Sequence, residues 1–363
     1  MSEGDQEWLA EFVLESGSTD RFRGRSDHVA LLAAGMMGEA GSVLAELKKE
    51  QRERDAYPAY RGRMLEELGD FLWYFVRLAE VVDPGMLSQL ASTASEDRPP
   101  GTPLMLFLQF GASVGDVLAV IAKGGDDATL QARARLLVVW QLLNAAAAEA
   151  GVSLRDAARH NRQKTAGRWP SERASFALFD DDYPEEEQLP RLLEIEFRER
   201  ARGEAKVVLL RCNGINFGDR LTDNIEDPDG YRYHDVFHFA HAAHLGWSPV
   251  VRALLRCKRK SNSKVDEGQD GARAAILEEA VSAVVFSRAK QLGFFDGVEH
   301  VDFDLLKSVK EFVQGFEVER VPFWQWERAI IEGYRVFRLL RTNRGGRLSL
   351  DLMKRELRYF APT

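Results

Sequence analysis

MGEAGSVLAELKKE (Met37–Glu50) and RMLEELGDFLWY (Arg63–Tyr74), separated by a short polar connection, decide how this chain folds. Each segment sets acidic residues three or four positions apart at the edge of an apolar stripe, the signature of an amphipathic helix. Glu39 and Glu46 are seven positions apart and stand within roughly 20° of each other around a helix axis. Glu67 and Asp70 are three apart, roughly 60° around the axis, with Glu66 beside them. Carboxylates that converge from neighbouring helices repel or take up protons unless a cation joins them. Hard oxygen donors favour Mg²⁺ or Mn²⁺. The spacing therefore allows a divalent-metal site for a phosphorylated ligand, or simply two helices with solvated acidic faces.

Composition narrows the classes. The chain has 363 residues, long enough for two cores, with 45% hydrophobic and 29% charged residues. A net charge of −8 argues against non-specific nucleic-acid binding. Two cysteines, Cys212 and Cys257, are too few for a disulfide framework and fit a reducing cytoplasm. The start, MSEGDQEWLAEF, lacks the basic and apolar regions of a signal peptide. No uninterrupted apolar run approaches 18 residues, so no membrane span is expected.

In chain order, a short helix over residues 6–15 precedes one over 28–50, capped by Ser26 or Asp27. Lys48 and Lys49, near its end, are either a solvated basic face or phosphate contacts. Tyr57-Pro58 breaks the chain before a helix over 61–82, whose Trp73 and Tyr74 belong to the core or border a ligand. Ser95–Pro103 reads as a turn-rich surface connection, followed by helices over 104–123 and 129–151. Ser153 is placed to cap a helix that carries Asn161 and Lys164 on adjacent turns.

MMGEAGS, EELGDFLWY and the downstream N-x-x-K resemble the pattern of the MazG-like all-α nucleoside triphosphate pyrophosphohydrolases. That resemblance implies an Mg²⁺- or Mn²⁺-dependent conversion of (d)NTP to (d)NMP and pyrophosphate by a homodimer or higher homo-oligomer. It puts Glu39, Glu67 and Asp70 at the metal-binding and catalytic positions, with Glu46 and Glu66 as further ligands. It also places Asn161 at the nucleotide and Lys164 or Arg168 at the phosphates, to which the position of Lys48 adds a further candidate. Ser42 stands where the family has a second glutamate on the first helix, and Glu46, one turn on, is the natural replacement. Relative to a compact member, residues 84–130 read as an inserted helical hairpin. A chain short of that carboxylate has a second reading, a catalytically weakened nucleotide-binding sensor or regulatory protein.

The acidic clusters Asp180–Asp182 and Glu185–Glu187 mark residues 171–190 as a solvated linker. Beyond it, in 191–363, the pattern alternates: LEIEFRER (Leu193–Arg200) and KVVLLRC (Lys206–Cys212) read as antiparallel strands. The expected fold is therefore mainly α, a helical bundle at 1–170 plus a C-terminal helical domain with a small antiparallel β element. The tail is read as helical to near Phe360, with Trp324, Trp326, Tyr334 and Phe337 in a core or interface. Its arginines, Arg338, Arg341, Arg344 and Arg347, read as a solvated basic face.

YRYHDVFHFAHAAHLGWSP (Tyr231–Pro249) gathers four of the seven histidines. His234, His238 and His241 fall within roughly 60° on one helix face. That spacing suits a transition metal, with Asp235 as a supporting partner and Glu278 and Glu279 of the LEE step completing the site. The bland alternative is a hydrogen-bonded polar seam. Shared rhythm between Arg63–Glu80 and Ala274–Gln291 suggests a diverged helical repeat. The region from Tyr231 to the LEEAVSA step resembles the C-terminal domain of some longer MazG-like proteins.

Overall fold

Helical periodicity governs the first half of the chain. The computed structural model describes residues 4–92, 102–170, 172–203 and 205–362. It separates into two compact units, Met1–Trp169 and Pro170–Thr363. The first is all-helical: α1 (Gly4–Ser18), α2 (His28–Glu53), α3 (Tyr60–Val82), α4 (Met86–Ser92), α5 (Pro103–Lys123), α6 (Ala128–Glu149) and α7 (Leu154–Arg168).

Residues at i, i+4 and i+7 supply its core: Leu32, Met36 and Val43 from α2, and Met64, Leu68, Phe71 and Phe75 from α3, all fully buried. Phe110 of α5 meets Phe71 edge-on at 4.8 Å, and Trp140 of α6 stacks on Phe75 at 5.6 Å. Ser153 caps α7 by accepting from the Asp156 amide at 3.4 Å. Phe107, Phe110, Val114 and Val117 of α5 join the same core as α2 and α3, so the segment read as an inserted hairpin is built into the bundle. The expected connection at Ser95–Pro103 falls largely on residues 93–101, outside the described residues. Two stretches, 28–56 and Pro103–Lys123, are long and apolar enough by length and composition to cross a bilayer. The run-length argument missed this, because their charges are few but scattered. In the bundle 28% of the apolar window in each is buried, and Leu104, Met105 and Leu108 of α5 stay exposed.

The second unit holds a five-stranded antiparallel sheet of order β3-β2-β1-β4-β5. Its strands are β1 (Leu192–Arg202), β2 (Ala205–Cys212), β3 (Ile215–Leu221), β4 (Gly345–Asp351) and β5 (Glu356–Phe360). Between β3 and β4 run α8 (Asp235–Leu245), α9 (Pro249–Leu255), α10 (Ser263–Gly268), α11 (Ala272–Gln291), α12 (Phe303–Phe312) and α13 (Phe323–Asn343). Leu193, Ile195 and Phe197 alternate inward along β1, and Phe197 pairs with Leu210 of β2 and Gly346 of β4. Trp324, Trp326, Tyr334 and Phe337 of α13 are buried.

Three expectations are corrected in this unit. The tail is not helical to Phe360: α13 stops at Arg344, whose φ of 55 is left-handed, and the next two residues form the start of β4. A side chain at Gly345 would run into the Phe197 carbonyl, so the strand can approach β1 only through glycine. The repeat carries over only in part: Arg63–Glu80 and Ala274–Gln291 both lie in long helices, α3 and α11, but the segments before them differ. MMGEAGSVLAELKK lies within the 26-residue α2, whereas HLGWSPVVRALLRCKRK breaks at Gly246, left-handed at φ 68, and leaves a seven-residue α9.

Nor is 171–190 a solvated spacer. Phe176, Leu178 and Phe179 pack on the core. The wholly buried Asp180 accepts from the Leu189 amide at 2.8 Å, from Arg191 at 2.8 Å and from Arg252 at 2.5 Å. Arg252 also reaches toward Asp270, at 3.7 Å. Asp270 in turn binds Arg259 at 2.7 Å, and Arg259 pairs with Glu317 at 2.6 Å. Burial works against the Arg259 charge, but Asp270 and Glu317 outweigh it and raise its pKa. Removing one member of such a chain strands a buried charge. Arg252→Met is therefore expected to lose about 3–5 kcal/mol of unfolding free energy in urea titration. Arg358→Met, at an exposed site, should change it by no more than about 0.5 kcal/mol.

Two candidate metal centres

In the first unit, α2 supplies Glu39 and α3 supplies Glu67 and Asp70. One carboxylate oxygen of each lies within 4.8 Å of the others, and all three residues are half-buried. The third wall is α7. Asn161 Nδ2 donates to Asp70 Oδ1 at 2.7 Å, and Lys164 Nζ donates to Asp70 Oδ2. Lys164 also lies 3.4 Å from Glu66, which Arg63 approaches from its other side at 3.4 Å. Gly69 makes this convergence possible: a Cβ there would sit 2.5 Å from the Ala157 carbonyl of α7. Tyr74 borders the acidic group. Burial first, then the charges of Glu39, Asp70 and Asp20, raises its phenol pKa. Trp73 turns inward and donates to Thr19 Oγ1 at 2.9 Å.

In the second unit, α8 lays His234, Asp235, His238 and His241 against Glu278 and Glu279 of α11. His238 and Glu278 are wholly buried. Glu278 Oε2 is fixed by Ser248 Oγ at 2.9 Å and the Val250 amide at 3.0 Å, while Oε1 accepts from His241 Nδ1 at 3.0 Å. His238 stands between the two glutamates, its Nδ1 3.1 Å from Glu278 and its Nε2 3.2 Å from Glu279. Those separations are short, yet neither nitrogen lies on the line that a hydrogen bond requires. The contacts are short, bent ion pairs that hold the ring between the two carboxylates. Burial opposes a charged His238, but the two carboxylates outweigh it and hold its pKa well above the ordinary value. Burial likewise pushes Glu278 up, and His238 and His241 overcome it, down to about 2. His244, buried on the same helix, shows the contrast: desolvation pushes it down to about 3, a neutral core histidine.

Residues 174–363, which are 190 of the 363, match the family model of the MazG C-terminal domain. The chain belongs to this MazG family. No curated protein and no solved structure matches the chain. The MazG C-terminal domain thus contains the five-stranded sheet and the His/Asp/Glu cluster, a donor set able to coordinate a transition-metal ion. The match begins inside the acidic segment, in keeping with the burial of Asp180. The all-helical first unit is consistent with MazG-like architecture.

Several site expectations need correction. Glu46 does not join Glu39: its oxygens are engaged by the Tyr57 hydroxyl and Lys49 Nζ. Tyr57 comes from the α2–α3 connection, and no pattern within either helix announces it. Its own pKa is pushed up to about 12 by burial and Glu46. Lys48 is exposed and, nine positions after Glu39, points roughly 180° away from it. Arg168 lies over the Trp169 ring at 4.8 Å. Ser248 and Tyr231 are contributors the sequence did not reveal. The Tyr231 ring stacks on His234 at 4.3 Å, and its carbonyl accepts from His234 Nδ1 at 2.9 Å.

Gly69→Ala is expected to lower stability by about 1–3 kcal/mol, because backbone must shift to admit the methyl. Gly38→Ala, whose Cβ would meet open space in mid-helix, should instead gain about 0.5–1 kcal/mol. Urea unfolding of the two variants reads out both signs.

Proposed function

We propose that this MazG-family protein is a metal-dependent nucleotide-binding protein. Its first unit would hydrolyse nucleoside triphosphates to the monophosphate and pyrophosphate. The observation that carries this reading is the convergence of Glu39, Glu67 and Asp70 with Asn161 and Lys164. Three carboxylates without nitrogen or sulfur donors suit Mg²⁺ or Mn²⁺. A cation held there would offset triphosphate charge and polarise the phosphorus under attack.

The rest falls to the side chains. Lys164, on a flexible stem, is placed to leave Asp70 for a phosphate oxygen while Asn161 keeps Asp70 in position. Water attacks the α-phosphorus, the bond to the bridging oxygen breaks, and pyrophosphate leaves. Glu66, outside the group of three, is the carboxylate placed to accept the water's proton. Exposed Leu104, Met105 and Leu108 on α5 offer a surface for the homo-oligomer that belongs to this reading, as does a cytoplasmic location.

One observation favours a second reading, nucleotide binding with little turnover. Glu46 is tied to Tyr57 and Lys49, so nothing on α2 replaces the carboxylate missing at Ser42.

A panel of NTPs and dNTPs with Mg²⁺ or Mn²⁺ separates the two. Pyrophosphate release is expected, and Glu67→Ala and Asp70→Ala should reduce it by more than about 100-fold, the upper end for loss of a mere supporting contact. Nucleotide binding without release, together with release in Ser42→Glu, would establish the second reading.

A further inference from the structure

The His cluster plays no part in the nucleotide reading, and the requirements of its atoms point elsewhere. His234 Nδ1 faces the Tyr231 carbonyl, which can only accept, so that nitrogen carries a proton and Nε2 is the ring atom left to meet other partners. Nε2 points at oxygens: Asp235 Oδ1 at 3.2 Å and Glu279 Oε2 at 3.9 Å. His238 Nε2 likewise lies 3.2 Å from Glu279 Oε1, fully buried and without a hydrogen bond. Ring nitrogens gathered among carboxylate oxygens need positive charge between them, either ring protons or a metal ion, and the ligand atoms of His234, Asp235 and His238 all lie within 4.8 Å of one another, close enough to share one ion.

Spacing identifies what fits. Ligands at about 2.0–2.1 Å from a tetrahedral ion are about 3.3–3.4 Å apart, the edge of the tetrahedron. The two separations of 3.2 Å are close to such an edge, and that of 3.9 Å, to the second oxygen of Glu279, is about 0.5 Å longer. On the other side of the ring, Glu278 has both oxygens satisfied by Ser248, Val250 and His241. It therefore acts as a support behind His238, the role carboxylates commonly take behind metal-binding histidines.

We propose that His234 Nε2, Asp235, His238 Nε2 and Glu279 bind one divalent transition-metal ion of the zinc class, with Glu278 as the residue that positions His238. Two imidazole nitrogens and two carboxylates favour such an ion over Mg²⁺, in contrast to the all-oxygen group on α2 and α3. Glu279 is 44% exposed, so the ion exchanges with solvent on that side. Tyr231, flat against His234, holds the ring that α8 alone would leave free to turn.

The test uses the full chain, stripped with a chelator and dialysed against a slight excess of Zn²⁺ in millimolar Mg²⁺. Elemental analysis should find about one zinc per chain. Glu279→Gln and His234→Ala should lose it, while Asp70→Asn keeps it. Far-UV circular dichroism checks folding. Glu279→Gln is isosteric at a half-exposed position and decides alone if the histidine variant fails to fold. Cobalt substitution gives a second readout: wild type should show the visible bands of low-coordinate Co²⁺, and Glu279→Gln should change them. Wild type without retained zinc would overturn the proposal. So would zinc that survives Glu279→Gln with unchanged cobalt bands, or zinc that follows Asp70→Asn. Pyrophosphate release is measured separately, so either reading can fail without the other.

Discussion

Asp180 has no exposure to water, and the guanidiniums of Arg252 and Arg191 bring to its carboxylate the positive charge that solvent does not. The same constraint, that a carboxylate withdrawn from solvent must gain positive charge, recurs wherever this chain gathers acidic groups. What differs is the kind of cation. Asp180, Asp270 and Glu317 are matched by Arg252 and Arg259, guanidiniums that do not deprotonate and are gripped by several acceptors each. Such pairs cannot exchange partners without unfolding their surroundings, so they fix the segment before β1 and the loop after α9 in place. They are structural.

Asp70 is matched differently. Its cation is the ammonium of Lys164, a point charge on a flexible stem, and its second partner is the neutral Asn161. A lysine can swing to a competing anion in a way that a doubly held arginine cannot. Glu278 and Glu279 face a histidine, whose ring gives up its charge when a metal takes the place of the proton. Ordered by exchangeability, arginine, lysine and histidine divide the acidic residues into those locked in the scaffold and those whose cation could be replaced. Counting acidic residues along the chain does not make this distinction.

That division explains what the sequence could and could not reveal. The helices carrying Glu39, Glu67 and Asp70 were legible because burial at i, i+4 and i+7 is a local property, and so was the Ser153 cap. The alternation of β1 and β2 was legible for the same reason. Asp180 was not, since DDDYPEEE looks solvated throughout while one of its three aspartates is wholly enclosed by an arginine 72 positions away. Glu46 failed for a related reason: its angle on α2 is right, but Tyr57 arrives from outside the helix. The strands β4 and β5 were lost because RLSLDLMKRELRYF follows a long amphipathic helix. The alternation of Leu348, Leu350 and Leu352 becomes decisive only once β1 offers an edge to pair with.

The acidic group on α2 and α3 depends finally on a distance between helices rather than on the acids themselves. A Cβ at position 69 would sit 2.5 Å from the Ala157 carbonyl, so α7, which carries Asn161 and Lys164 to Asp70, would have to shift to admit it. The glycine in EELGD is therefore as much a determinant of the site as the carboxylates flanking it. It explains why this short motif joins a residue without a side chain to residues that need theirs. In the second unit the corresponding determinant is Glu278, anchored through Ser248 and the start of α9. It stands 3.1 Å from His238 Nδ1 and so fixes one side of that ring. Each cluster thus depends on one residue that sets how its neighbours meet. Neither is recognisable until the helices that it joins are packed.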